Sequence, residues 1–290
     1  MIVIDQVKKT FGDHDVLKGV SFSVKKGEVY GLIGKNGTGK TTLMNIMAGL
    51  SSADSGTCTV GGKIINPDNH IIKIGYLPDL PAFFEYLTVG EYLSYLLMDK
   101  NLERKNKLLQ LVDLSEKNKI STMSRGMRQR LGIAAAIVND PEIILLDEPT
   151  SALDPSGRAD VMRILSELKK EGKAIILSTH ILADMERVCD RVGFLSDGII
   201  KKSMHISELD SDAAYIRVIF EKEGNYDDIL NSSGISYEKL PDGVYRLKID
   251  ENASSPQKRI FSMLASDGIK VASIHSEVKN LDLIFQEVCG

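Results

Sequence analysis

The sequence predicts an α/β fold in which a parallel sheet alternates with helices, carries a helical insertion, and is followed by a small α+β domain. Three observations predict it. A glycine-rich turn, Gly34 to Thr41, sits between a strand-like run and a helix-like run. Two short apolar runs, Ile143-Ile144-Leu145-Leu146 and Ala174-Ile175-Ile176-Leu177, each stop at polar groups, as strands covered on both faces do. After about Asp210 the pattern changes. The 290 residues, 43% hydrophobic and 26% charged, suffice for one large and one small domain. The expected division is 1–210 and 211–290, with a helical subdomain at about 79–138.

Ile2 to Ile4, the alternating Val20, Phe22 and Val24, and Val29 to Ile33 read as strands. Thr42-Leu43-Met44-Asn45-Ile46-Met47 has helical spacing. From Asp79 to Val138 no strand is evident, and helical patterns lie around Leu93 to Met98 and Lys107 to Leu114. Asp154 can cap a helix with Pro155 in its first turn, and Val161, Ile164, Leu165 and Leu168 mark its apolar face. Beyond Asp210 the expected order is a strand at Tyr215 to Phe220, a helix near Asp227 to Leu230, and strands near Ile235 and at Val244 to Ile249. A helix at Gln257 to Leu264, a strand at Lys270 to Ile274 and a helix near Leu281 to Val288 complete a split β-α-β-β-α-β layout.

Thirty-six basic against forty acidic residues give a net charge of -4, which argues against a nucleic-acid binder held by phosphate electrostatics. Cys58, Cys189 and Cys289 are odd in number and far apart, which suits reduced thiols in the cytoplasm and shows no zinc spacing. The first residues, MIVIDQVKKTFGDHD, lack the layout of a secretory signal. No uncharged apolar stretch approaches the ~20 residues of a membrane span, so any membrane role requires another chain.

Gly34-Lys35-Asn36-Gly37-Thr38-Gly39-Lys40-Thr41 fits G-x-x-x-x-G-K-[ST] in the strand-to-helix setting that the motif needs. Glycines let backbone N–H groups turn around a phosphate, and the following helix presents its positive end. The chain is expected to form a P-loop NTPase parallel sheet with a helical insertion. Lys40 is expected to hold the β and γ phosphates, and Thr41 to offer its hydroxyl to Mg²⁺, with Thr42 next in the helix. The run Ile143 to Leu146 delivers Asp147 and Glu148 at its carboxyl end, where ligands of parallel sheets gather. Asp147 suits Mg²⁺ through water, and Glu148 can polarise the water that attacks the γ phosphate.

With these motifs the chain resembles the ATP-binding subunit of an ABC transporter over roughly its first 210 residues. The resemblance implies that Ser151-Ala152-Leu153-Asp154 contacts an opposite subunit, that His180 after Ser178-Thr179 is the switch histidine at the γ phosphate, and that Phe11 stacks on adenine. A core phenylalanine is the competing reading of Phe11. Met123-Ser124-Arg125-Gly126-Met127 stands where the family has Leu-Ser-Gly-Gly-Gln. The implied nucleotide contacts there are Ser124 and Gly126, and Ser124 can also cap its helix. Arg125 and Met127 depart from the pattern in a Ser-x-Gly-Met form that looks like an exporter-type subgroup. Asp79 ends Tyr76-Leu77-Pro78-Asp79 where the family has glutamine; it reaches the metal through water or is a turn residue.

The implied protein binds ATP and Mg²⁺, pairs with a second ATP-binding subunit that is a copy or a relative, and closes on ATP. It would power a polytopic membrane subunit from the cytoplasmic face of the cell membrane. Ala82-Phe83-Phe84-Glu85-Tyr86-Leu87-Thr88 is either surface for that subunit or core. A soluble ATPase of DNA repair or ribosomes would bring tandem cassettes or long coiled coils, and neither is seen. A regulator without turnover fits poorly with Glu148 and His180. No Asn-Lys-x-Asp element for guanine occurs, so the base should be adenine. The tail beyond Asp210 holds no catalytic constellation; Leu281, Ile284, Phe285 and Val288 mark its last helix as a packing element.

Overall fold

The computed structural model describes residues 1–68, 74–151, 153–209, 213–221, 225–232, 235–240, 243–248, 270–278 and 280–289. The chain divides into two compact units, Met1–Glu208 with Phe285–Gly290, and Leu209–Ile284.

The first unit opens with an antiparallel hairpin, β1 (Ile2–Phe11) and β2 (His14–Val24), followed by β3 (Val29–Ile33) and helix α1 (Lys40–Met47). β4 (Ser55–Val60) and β5 (Lys63–Ile64) extend the hairpin into a sheet of order β2-β1-β4-β5. Then come β6 (Ile74–Leu77), α2 (Val89–Leu96), α3 (Leu102–Leu111) and α4 (Arg125–Ile137). β7 (Ile143–Asp147), α5 (Pro155–Lys170), β8 (Ala174–Ser178) and α6 (Leu182–Val188) follow. The hairpin β9 (Arg191–Ser196) and β10 (Ile199–His205) ends this run.

The second sheet has the order β10-β9-β3-β8-β7-β6. β3 pairs in parallel with β8 and β9, and β7 with β6 and β8. Every residue of β3, β7 and β8 is buried, which explains why these strands read as unbroken apolar runs. One core joins Ile4, Val7 and Val20 of the antiparallel sheet, Leu43, Met44 and Met47 of α1, and Leu32, Leu145 and Ile176 of the parallel sheet. That packing sets α1 against the parallel sheet.

The insertion is helical as expected, but α2 and α3 begin earlier than their apolar spacing suggests. Thr88 sets the start of α2 through a capping box: its Oγ1 accepts from Glu91 N at 3.2 Å, and its own N–H donates to Glu91 Oε2 at 2.8 Å. Leu97 is extended and ends the helix, which leaves Met98 outside it and 70% exposed. Asn101 caps α3, accepting from Arg104 N, and Asp113 at φ 49° lies past its end. Thr88→Ala should lower unfolding stability by about 1 kcal/mol, as denaturant titration would measure.

The second unit holds β11 (Ala213–Phe220), α7 (Asp227–Ser232), β12 (Tyr237–Lys239), β13 (Val244–Lys248), β14 (Val271–Val278) and the start of α8 (Leu281–Cys289), whose residues from Phe285 on belong to the first unit. The four strands form an antiparallel sheet of order β12-β13-β11-β14, the order of a split β-α-β-β-α-β layout. Ile216, Val218, Leu230, Tyr245 and Leu247 form its core. The helix expected at Gln257 to Leu264 lies outside the described residues. In α8, Leu281 and Ile284 are fully buried and Phe285 and Val288 partly so.

Candidate functional site

The turn after β3 is built on close backbone approach. A Cβ on Gly34 would lie 2.5 Å from the Leu195 carbonyl and 2.6 Å from Thr38 Oγ1, so only glycine fits there. Gly37 and Gly39 have φ of 81° and 99°, in the left-handed region that glycine adopts without a Cβ penalty. Gly39 is the N-cap of α1 and supplies no side-chain cap; the first-turn amides are therefore available to an anion, reinforced by the helix dipole. Lys35, Asn36, Gly37 and Thr41 are exposed, Thr38 and Thr42 half-buried. Thr38 Oγ1 donates to Lys35 O at 2.9 Å.

Lys40 is buried, and its Nζ donates to Gly34 O at 2.8 Å and Lys35 O at 3.1 Å. Burial pulls its pKa down, while the Glu148 and Asp147 carboxylates push it back up. The two acidic residues at the end of β7 thus act electrically on the lysine of the turn.

Asp147 is 1% exposed. Its Oδ1 accepts from Ser178 Oγ, directly across the β7–β8 register, and its Oδ2 is buried with no protein partner. A buried carboxylate oxygen without a partner is costly; a hydrated cation beside it removes that cost, so this donor fits Mg²⁺. The described residues hold no group of three His, Cys, Asp or Glu able to ligate a metal. Mg²⁺ between phosphates does not need one, because it takes phosphate and water oxygens with one or two protein groups.

Glu148 has φ 51°, a conformation that costs a non-glycine residue of order 1 kcal/mol and clusters at functional sites. Its N–H donates to Ser178 O at 3.0 Å and lies 3.3 Å from Ser178 Oγ. Its Oε2 lies 2.9 Å from His180 Nδ1. The glutamate side chain is largely covered and the histidine largely exposed. Asp79 is exposed, with Oδ1 3.5 Å from Ser151 Oγ. Both Asp147 and Asp79 add to burial in raising the Tyr76 hydroxyl pKa, so Asp79 faces the same quarter of the site. Ala152 lies outside the described residues.

Two groups lie apart from this cluster. Phe11 ends β1 and is 55% exposed, so it is not a core residue. Lys9 Nζ sits 5.4 Å from the ring centroid, and Asp54 holds the strand end by accepting from Thr10 N and Lys9 Nζ. Ser124 caps α4, accepting from Met127 N at 3.3 Å. A Cβ on Gly126 would meet nothing within 4 Å, so the start of α4 is open to an approaching group. Arg128 on this helix donates two hydrogen bonds to Glu85, at 2.5 and 2.8 Å, tying α4 to the aromatic run. In that run Phe84 and Tyr86 are exposed, so those two are surface and not core.

Ser178 is the site residue to which sequence reasoning assigned no role. A polar residue closing a wholly apolar strand was its signal, but its partner follows from strand register.

Residues 17–151 match the profile of a family described as ABC transporter. The bacitracin transport ATP-binding protein BcrA of Enterococcus faecalis is 33% identical, the alignment covering 100% of this chain and 96% of that protein. An uncharacterized ABC transporter ATP-binding protein of Synechocystis sp. is 41% identical over 69% of this chain, which spans 59% of that longer relative. Among solved structures, the dimeric post-hydrolysis state of an ATP-binding cassette bound to ADP and Pi superposes with a TM-score of 0.64 at 26% identity, covering 71% of this chain and 99% of that one.

Proposed function

The chain belongs to the ATP-binding proteins of the ABC transporter family, and from that premise we propose that it hydrolyses ATP between two such subunits to drive export by a separate membrane-spanning chain. The observation that carries this is the convergence of the Gly34 to Thr41 turn, Asp147, Glu148 and His180 at one end of the parallel sheet. Burial lowers the Lys40 pKa, and Glu148 and Asp147 oppose that shift across the same space.

The amides of the turn and Lys40 hold the triphosphate, and Phe11 stacks on adenine. Thr41 and, through water, Asp147 and Asp79 would hold Mg²⁺, which would supply neutralisation of phosphate charge. Glu148 orients a water on the γ phosphorus and takes its proton. A P–O bond to water forms as the bond to the ADP oxygen breaks, giving ADP and phosphate. His180, engaged with Glu148 through Nδ1, keeps Nε2 for a γ-phosphate oxygen.

Ser124 and Gly126 serve the opposite subunit, a copy of this chain or a relative: the open start of α4 faces the γ phosphate bound by the other member. ATP then favours the closed pair and hydrolysis releases it, because the triphosphate alone contacts both members. Among the described residues no helix is long and apolar enough to cross a membrane; in this reading the transport path belongs to another chain, with this one peripheral on the cytoplasmic face. Full-length similarity to a bacitracin transport protein supports export.

The membrane chain docks on the exposed aromatic run, where Phe84 packs edge-on to Tyr95 and Glu85 links to α4 through Arg128. Purified from its native membrane, the protein should bring a polytopic chain with it. Phe84→Ala should weaken that association roughly tenfold, as loss of an aromatic anchor does, with ATP affinity within about twofold. Undiminished copurification would reject the docking surface, and absence of any polytopic chain would reject transport.

A further inference from the structure

The hydroxyl of Ser178 lies between the Asp147 carboxylate and the backbone N–H of Glu148. It is fully buried at the end of β8, where an unbonded hydroxyl would be costly. It donates to Asp147 Oδ1 and lies 3.3 Å from the N–H of Glu148. The backbone carbonyl of the same residue accepts that N–H at 3.0 Å. One residue therefore fixes the rotation of the Asp147 carboxylate and the strained backbone of Glu148. The next residue fixes the turn that carries His180, as Thr179 Oγ1 accepts from Ile181 N at 3.1 Å.

We infer that Ser178 is a positioning residue for metal-dependent nucleotide binding: by engaging Oδ1 of Asp147 it leaves Oδ2, buried and without a protein partner, as the oxygen presented to the hydrated cation. This rests on the reading of Asp147 as the metal-side carboxylate. In Ser178→Ala, Oδ1 loses its donor and the carboxylate can turn, so the cation's water meets a partner of variable direction. A hydroxyl that merely satisfied the interior would affect stability and leave the metal response intact.

The test measures the affinity of a methylanthraniloyl derivative of the non-hydrolysable imido analogue of ATP, once with Mn²⁺ and once with EDTA. Ser178→Ala should lose about tenfold of the affinity gained from Mn²⁺, the usual effect of removing a group that orients a metal partner. Its affinity in EDTA should stay within about twofold of wild type, because the amides of the turn are untouched. Ser178→Thr, which keeps the hydroxyl, should retain the gain. A full Mn²⁺ gain in Ser178→Ala, with the gain lost in Asp147→Asn, would overturn the inference alone. A loss in Ser178→Thr as large as in Ser178→Ala would assign the effect to packing and also overturn it. A full gain in Asp147→Asn would remove the metal reading of Asp147, and the inference with it.

Discussion

Glu148→Gln should lower steady-state ATP hydrolysis by roughly 10²- to 10⁴-fold, the range expected for removing a positioned proton acceptor. Glutamine has nearly the same shape. The backbone at this position is held at φ 51° by the N–H donated to Ser178 O, and an amide oxygen can still face His180 Nδ1. The substitution therefore removes the charge and basicity of the carboxylate and little of the geometry. ATP binding should survive, since in the proposed mechanism the turn and Lys40 hold the phosphates, and the variant should accumulate as an ATP-bound pair on size-exclusion chromatography. Undiminished turnover would eliminate Glu148 as the proton acceptor. Loss of turnover without any ATP-dependent pairing would instead count against the shared site, because hydrolysis is what reopens the pair in that mechanism.

The parts of this site legible in the sequence are those that local chemistry dictates. A turn in which a Cβ on Gly34 would strike the Leu195 carbonyl must write glycine there. A strand buried on both faces must write an apolar run, so its first polar residues mark its end and the site. Asp154 and Ser124 declared their helices for the same reason, as the side-chain acceptors at each cap are local.

What stayed hidden depended on distant partners. β4, Ser55–Val60, buries only Cys58 and Val60, too few for an alternation signal, and exists because β1 pairs with it. β9, Arg191–Ser196, includes Gly193, where a Cβ would clash with the Tyr30 hydroxyl; pairing with β3 makes it a strand. The starts of α2 and α3 are set by Thr88 and Asn101, whereas apolar spacing drew attention to exposed Tyr95 and Met98. Ser178 was visible as a residue, but that it faces Asp147 is a fact of the β7–β8 register.

Lys40→Ala should have the largest effect on nucleotide affinity. Its ammonium lies inside the turn, donating to Gly34 O and Lys35 O, and because the side chain is buried a phosphate contact is weakly screened. Burial alone would favour the neutral amine, and Asp147 and Glu148 oppose that shift; a γ phosphate would oppose it further by the same electrostatics. Removing one or two charge-assisted hydrogen bonds of about 1.5 to 3 kcal/mol each should weaken ATP binding by roughly tenfold to more than a thousandfold. Lys40→Arg keeps the charge, but its planar fork cannot reproduce a compact ammonium in that cavity, so it should recover little. ATP should therefore protect wild type against thermal unfolding and leave both variants near their ligand-free midpoints. The outcome that defeats the whole assignment is full protection of Lys40→Ala by ATP, since no other side chain of the turn can replace a buried cation.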